Sequence, residues 1–169
     1  MTREPFFPFS AKAWQPLCPK SGEQGIPIQL ITLKSLLSCQ ALEQLNANAS
    51  YAFCRDPLCP VVYFSEEGQS FGVDDLKVPV FQKESGEKES GEDVPVCYCF
   101  GWTRRRIWQE LQGSKTPQAI LEGIADHIKA RGCGCQVNNP QGFCCLENVR
   151  QVILEMQQRK AEEQNPIIG

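Results

Sequence analysis

Two hydrophobic periodicities divide this chain. Tyr51-Ala-Phe53 and Val61-Val-Tyr-Phe64 are short β-branched or aromatic runs flanking Cys54-Arg-Asp-Pro-Leu-Cys59, the pattern of a hairpin whose turn chemistry comes from Asp56-Pro57. Upstream, Ile28 to Thr32 reads as a strand, and Thr32 reads as the cap of a short helix through Leu36 and Leu37. Ala41 to Leu45 continues in helical character. Beyond residue 100 the period is helical. Thr103 is an N-cap before Arg-Arg-Arg-Ile-Trp-Gln-Glu-Leu-Gln, and Thr116-Pro117 supplies a cap and a first-turn proline for a helix with Ile120, Ile124 and Ile128 on one stripe. Gly132 ends that helix. A final helix from near Leu146 buries Val149, Ile153 and Met156 and leaves Glu, Gln and Arg to solvent.

Between the two patterns, Lys83-Glu-Ser-Gly-Glu87 is repeated at once as Lys88-Glu-Ser-Gly-Glu92. The tract has no apolar anchor, so it reads as a solvated spacer rather than a recognition segment. The expected organisation is α+β: a β-hairpin domain over residues 1–81, a flexible linker over 82–93, a helix-turn-helix domain over 94–160 and a tail over 161–169.

Charge narrows the function. The chain has 169 residues, with 17 Lys and Arg against 20 Asp and Glu, a balance that argues against a dedicated nucleic-acid partner. No apolar run is long enough for membrane insertion. The opening Met-Thr-Arg-Glu-Pro-Phe-Phe-Pro-Phe-Ser lacks the continuous apolar stretch of an export signal, so the expected location is cytoplasmic, where thiols stay reduced.

Those thiols carry the chemistry. Eight of the ten cysteines fall in three clusters: Cys54 with Cys59, Cys97 with Cys99, and Cys133, Cys135, Cys144 and Cys145. Cys-x-Cys and Cys-Cys pairs are too close to bridge internally without strain, and a chain of this length needs no staples, so metal binding is favoured over a disulfide framework. Cys39, behind Leu36-Leu37-Ser38, reads as a packed thiol. His127, the one histidine, reads as an answer to a helix C-terminal dipole. A single histidine and scattered acids assemble no nucleophile with a base, so the expectation is a non-catalytic redox or metal-binding protein. Arg104-Arg-Arg106 opens a helix where positive charge is disfavoured, and reads as a solvated face or as a docking surface for an anionic partner.

Cys97 and Cys99 should precede the first downstream helix, Cys133 and Cys135 should follow the second, and Cys144 and Cys145 should precede the third. Sulfur at helix N-termini gains hydrogen bonds from outward-pointing amides and a dipole that suits an anionic cluster. Two thiol pairs separated by a helix-turn-helix resemble the bacterioferritin-associated-ferredoxin type of [2Fe-2S] domain. More narrowly, Val96-Cys-Tyr-Cys99 followed by Cys133-Gly-Cys-Gln-Val-Asn-Asn-Pro-Gln-Gly-Phe-Cys-Cys-Leu146 resembles the N-terminal iron-sulfur and zinc region of CopZ-type copper chaperones. Cys97, Cys99, Cys135 and Cys145 are the expected cluster ligands, since Cys145 abuts the last helix and the resemblance favours one ligand from each doublet. Cys133 and Cys144 are the alternates, or spare thiols suited to Cu(I).

The same resemblance extends upstream. Cys18-Pro-Lys-Ser-Gly22 is similar to the family's Cys-Pro-x-Cys zinc knuckle, which pairs with the Phe-Cys-x4-Cys hairpin. This implies Zn2+ on Cys18, Cys54 and Cys59. Ser21 stands where the fourth thiol is expected, and a closed zinc site wants four ligands, so the alternatives are an oxygen donor or water in that place, or a packed turn that has lost zinc. The family carries a Met-x-Cys-x-x-Cys copper loop in a further domain, and no such loop occurs here, so the chain resembles a stand-alone iron-sulfur and zinc module. The implied function is metal handling, reducing or delivering a thiophilic ion such as transient Cu+ to a copper-transport or redox partner protein. The alternative is a ferredoxin-like electron carrier or redox sensor with a structural zinc site.

Overall fold

The computed structural model describes residues 14–83 and 91–165, so most of the Lys-Glu-Ser-Gly repeat, the first thirteen residues and the last four lie outside the described residues. Its element order is β1 (Ile26–Ile28), α1 (Leu30–Leu36), α2 (Cys39–Gln44), β2 (Tyr51–Phe53), β3 (Val61–Ser65), β4 (Ser70–Gly72), a 3-10 turn Val73–Asp75, β5 (Pro95–Cys97), β6 (Trp102–Thr103), α3 (Arg104–Gln112), α4 (Pro117–Arg131), α5 (Cys135–Asn138) and α6 (Leu146–Gln164). The fold is α+β. A four-stranded antiparallel sheet in the order β1-β2-β3-β4 forms the first half, and helices around a two-stranded ribbon, β5-β6, form the second.

The hairpin forms where the aromatic runs place it. Tyr51 pairs with Ser65, Ala52 with Phe64 and Phe53 with Tyr63. Alternation then sorts the side chains: Tyr51, Phe53 and Tyr63 join Leu33 and Leu36 of α1 and its C-cap Leu37 on one face, while Ala52, Cys54 and Phe64 join Cys18 and Cys59 on the other. A register shift between Val61 and Tyr63 turns Val61 into the cysteine face.

Two readings upstream are corrected. The strand ends at Ile28 and helix α1 begins at Leu30 behind Gln29, so the span Ile28 to Thr32 is mostly helical. Thr32 is a buried residue of the second half-turn rather than a cap. Capping falls instead to Ser38, whose hydroxyl accepts from the Ala41 amide to open α2. That cap leaves Cys39 on the outer side of the first turn. Cys39 is therefore exposed, not a packed core thiol.

Downstream the caps behave as the residues require. Thr103 accepts from the Arg106 amide, Thr116 accepts from the Ala119 amide, and Gly132 ends α4 at φ 72°. Ile107, Ile120, Ile124, Val149, Val152, Ile153 and Met156 close a core over β5 and β6. Helix α6 runs on to Gln164, into the span read as a tail.

The two halves keep distinct cores and share a contact. Helix α1 packs on α5. The buried Tyr63 hydroxyl donates to the Pro140 carbonyl at 2.8 Å. A side chain on Gly142, at φ 73°, would come within 2.9 Å of Ile28, so glycine permits this approach. Phe81 leaves the first half to bury in the helical core. Tyr98, the residue between Cys97 and Cys99, donates to the Pro79 carbonyl at 2.7 Å and accepts from the Phe81 amide at 2.9 Å. Lys83, read as part of a solvated linker, is buried against the hairpin loop.

Candidate metal centres

The N-terminal thiols meet on the sheet face opposite α1. Leu17 and Gln24 bridge across a tight turn in which the Cys18 amide donates to the Glu23 carbonyl at 2.9 Å and the Gly22 amide returns to the Cys18 carbonyl at 2.9 Å. Gly22 takes φ 75°, which a side chain would resist. Across from it, Cys54 follows β2 and Cys59 precedes β3, joined by a turn in which the Cys59 amide donates to the Asp56 carbonyl at 3.2 Å. The sulfurs of Cys18, Cys54 and Cys59 all lie within 4.8 Å of one another, and all three residues are buried. Cys18 Sγ and Cys59 Sγ are 3.9 Å apart. The Ser21 hydroxyl is 3.6 Å from Cys54 Sγ, on the rim of the same group.

Three convergent buried thiols plus a hydroxyl fit a single thiophilic or borderline ion such as Zn2+. Their electrostatics differ. Burial raises the Cys18 thiol, but the Ser21 hydroxyl and the amides of Ser21 and Lys20 outweigh it and bring the thiol down to about 7. Cys54 is pushed up to about 11, mainly by burial. The knuckle therefore prepares one thiolate, and a bound cation is needed to ionise Cys54.

The second group gathers at element ends. Cys97 closes β5, Cys99 sits in the ribbon's turn, Cys135 opens α5 and Cys145 is the N-cap position of α6. Cys97, Cys135 and Cys145 are buried and Cys99 is half-buried. Cys99 Sγ lies 3.6 Å from Cys135 Sγ, and the Asn138 amide group lies 3.8 Å from Cys99 Sγ. A hydrogen bond with the Cys145 side chain is the main cause that holds the Cys135 thiol down to about 5, and the same partner lowers Cys97. Cys145, as donor to both, is raised in turn. Cys99 is pushed up to about 11 by burial and by Cys135. Cys133 and Cys144 are exposed at the edge of this group.

The Asn-Pro-x-Gly string that joins the doublets is a structural turn. Asn139, 1% exposed, donates to the Phe143 carbonyl at 2.8 Å and accepts from the Gln141 amide at 3.1 Å. This fixes where Cys144 and Cys145 return relative to Cys135.

Other candidates find quieter roles. His127 stacks on Phe100, with centroids 5.3 Å apart, rather than serving only the helix dipole. Arg104 pairs with Glu155 at 3.0 Å and Arg105 with Asp93 at 2.6 Å, while Arg106 lies 4.0 Å from the Trp102 ring centroid. Most of the arginine triplet's charge is thus engaged within the chain. Two residues at the sites were missed by sequence reasoning. Asn138 was legible as a polar group just after Cys135, whereas Lys83 gave no signal inside a polar repeat.

Comparison with known proteins bears on both halves. Residues 15–77 match the family model of the CopZ zinc-binding domain, which includes Cys18, Ser21, Cys54 and Cys59. The X-ray structure of the Archaeoglobus fulgidus CopZ N-terminal domain superposes with a TM-score of 0.64 at 26% identity, covering 80% of this chain and 95% of that one. The chain carries a CopZ-type N-terminal region. The full-length copper chaperone CopZ of Archaeoglobus fulgidus is 28% identical over 129 residues, 76% of this chain. The match spans 57% of that relative's own length. Among the described residues no helix is long and apolar enough to cross a membrane.

Proposed function

We propose that this protein handles a thiophilic metal ion, most specifically copper, using a [2Fe-2S] cluster on Cys97, Cys99, Cys135 and Cys145 beside a structural zinc site on Cys18, Cys54 and Cys59. The observation that carries this is the convergence of four cysteines from three chain segments, with a 3.6 Å sulfur pair, next to two exposed thiols. A sulfur pair at that separation suits two ligands on one iron, and the remaining buried pair suits a second. The likeness to a copper chaperone supports metal as the cargo.

When bound, a [2Fe-2S] cluster supplies one electron, which takes Cu(II) to Cu(I). The chain's part is to hold the product and shield the centre. Cys133 and Cys144, exposed and neighbouring the buried four, offer soft thiolates that prefer Cu(I) over Cu(II). Asn139 and Gly142 hold the loop that places them.

Anaerobically purified protein should carry iron and sulfide, and dithionite-reduced, desalted protein should deliver Cu(I) from Cu(II) to a Cu(I)-specific chelator with reoxidation of the centre. Iron-free protein from iron-replete cells defeats the cluster. Unchanged Cu(I) retention in Cys133→Ser with Cys144→Ser defeats the metal-handling step and leaves the electron-carrier reading, in which the zinc is only structural.

A further inference from the structure

A buried ammonium reaches the loop between Cys54 and Cys59 from beyond the zinc-binding domain. Lys83 lies outside the matched span of residues 15–77, yet it is only 4% exposed. Its Nζ donates to the Asp56 carbonyl at 2.6 Å and to the Cys59 carbonyl at 2.9 Å, and lies 5.8 Å from the centroid of the Phe53 ring. Lysine is almost never buried without a partner, because the charge loses its hydration. Among the described residues no carboxylate pairs with it. Its polar partners are two carbonyls of the Cys54–Cys59 loop, and its charge favours the thiolate of Cys54 at the start of that loop.

The backbone is built to deliver it. The Lys83 amide donates to the Val80 carbonyl at 3.0 Å, and Gln82 takes φ 67°, so the chain reverses after Phe81. Phe81 then enters the helical core and Lys83 turns back to the hairpin loop. The Tyr98 hydroxyl fixes the start of this turn through Pro79 and Phe81. A left-handed residue and a bridging tyrosine are costly ways to place an ordinary surface lysine.

Charge accounting gives the placement a purpose. Three thiolates on Zn2+ leave one net negative charge, and the Ser21 hydroxyl adds none. One buried ammonium offsets that single charge, whereas four thiolates would leave a second charge uncompensated. Ser21 and Lys83 thus belong to one arrangement.

We propose that Lys83 is the charge-balancing and positioning residue of the N-terminal zinc site, offsetting the net charge of a three-thiolate centre and fixing the loop that presents Cys54 and Cys59. The inference rests on the zinc reading above. The full chain, zinc-loaded, is challenged with a chromophoric chelator, and melting temperatures are taken with and without the metal for wild type, Lys83→Met, Lys83→Gln and the surface control Lys77→Met. Lys83→Gln retains donors without charge, so it separates charge from loop stapling. Both Lys83 variants should bind zinc on the order of tenfold more weakly, the scale of one charge interaction in a partly buried site, while the metal-free melting temperature changes little. Lys77→Met should match wild type. Wild-type zinc affinity in Lys83→Gln, or equal losses of stability with and without metal in that variant, overturns the proposal and leaves the zinc reading standing. Wild-type protein that binds no zinc defeats the zinc reading and this inference together.

Discussion

The two thiol groups of this molecule are made from the same side chain and differ in how the backbone surrounds it. In the first half, three sulfurs lie within 4.8 Å of one another on the sheet face opposite α1, and all are buried. That geometry converges on one ion and closes it off, the arrangement of a structural site. In the second half the cysteines sit at the ends of β5, α5 and α6, and two further thiols are exposed beside them. Element ends offer amide donors and an open edge, which suits a centre that exchanges electrons or ligands. On the proposed function, a closed sheet face against helix termini is the physical difference between holding a metal and using one.

The largest effect that can break this contrast lies in the second group. Cys135 is buried, its thiol is held low, and it is 3.6 Å from Cys99, whereas Cys133 two residues earlier is exposed. Cys135→Ser should abolish iron and sulfide incorporation, and Cys133→Ser should leave both at wild-type levels, as measured by metal and labile-sulfide analysis. If the two variants lose iron equally, the buried and exposed thiols do not divide the work as proposed.

In the first half the expected change is a gain. The Ser21 hydroxyl is 3.6 Å from Cys54 Sγ, so Ser21→Cys places a fourth thiol at the rim of the three. Zinc should then be held roughly tenfold or more tightly in chelator competition, since a fourth thiolate completes the tetrahedral set and outweighs the one negative charge that Lys83 then leaves uncompensated. An unaltered zinc affinity would mean that residue 21 does not face the metal.

How much of this was legible depends on whether the signal was local. The hairpin around Cys54 and Cys59 and the caps at Thr103, Thr116 and Gly132 were readable because each rests on neighbouring residues. The start of α1 was misread because Thr32 looks like a cap, and only tertiary packing reveals that its side chain is buried. The same holds for Cys39, whose apolar neighbours suggested a core position that the Ser38 cap then denies. Lys83 and the Tyr63 to Pro140 bond were invisible, the latter because its partners lie 77 residues apart. Most thiols of the two groups could be listed from spacing, and Cys18 from the family resemblance, but the seam between the halves could not.

That seam gives a medium-sized test of whether the two regions behave as one unit. Tyr63→Phe removes the donor from the buried Pro140 carbonyl and leaves it unsatisfied. The cost should be about 1–3 kcal/mol. For a chain of this length each kcal/mol lowers the melting temperature by about 2–4 °C. The zinc site should be unaffected, because Tyr63 lies on the sheet face away from the cysteines. A melting temperature equal to wild type would show that the halves do not depend on this contact.

The smallest effect sharpens the same seam from the other side. Thr32 is fully buried in α1, facing the approach of Gly142, and its hydroxyl has no hydrogen-bond partner among the described residues. A buried hydroxyl without a partner carries a desolvation cost that an apolar group of the same shape avoids. Valine is nearly isosteric, and both side chains are β-branched, so helix propensity changes little. Thr32→Val should therefore stabilise the protein by about 1 kcal/mol and raise the melting temperature by about 2–4 °C without changing zinc or iron content. A lower melting temperature would show that the hydroxyl is satisfied in solution, and that the contact between α1 and the Asn139–Gly142 turn is wetter than its packing indicates.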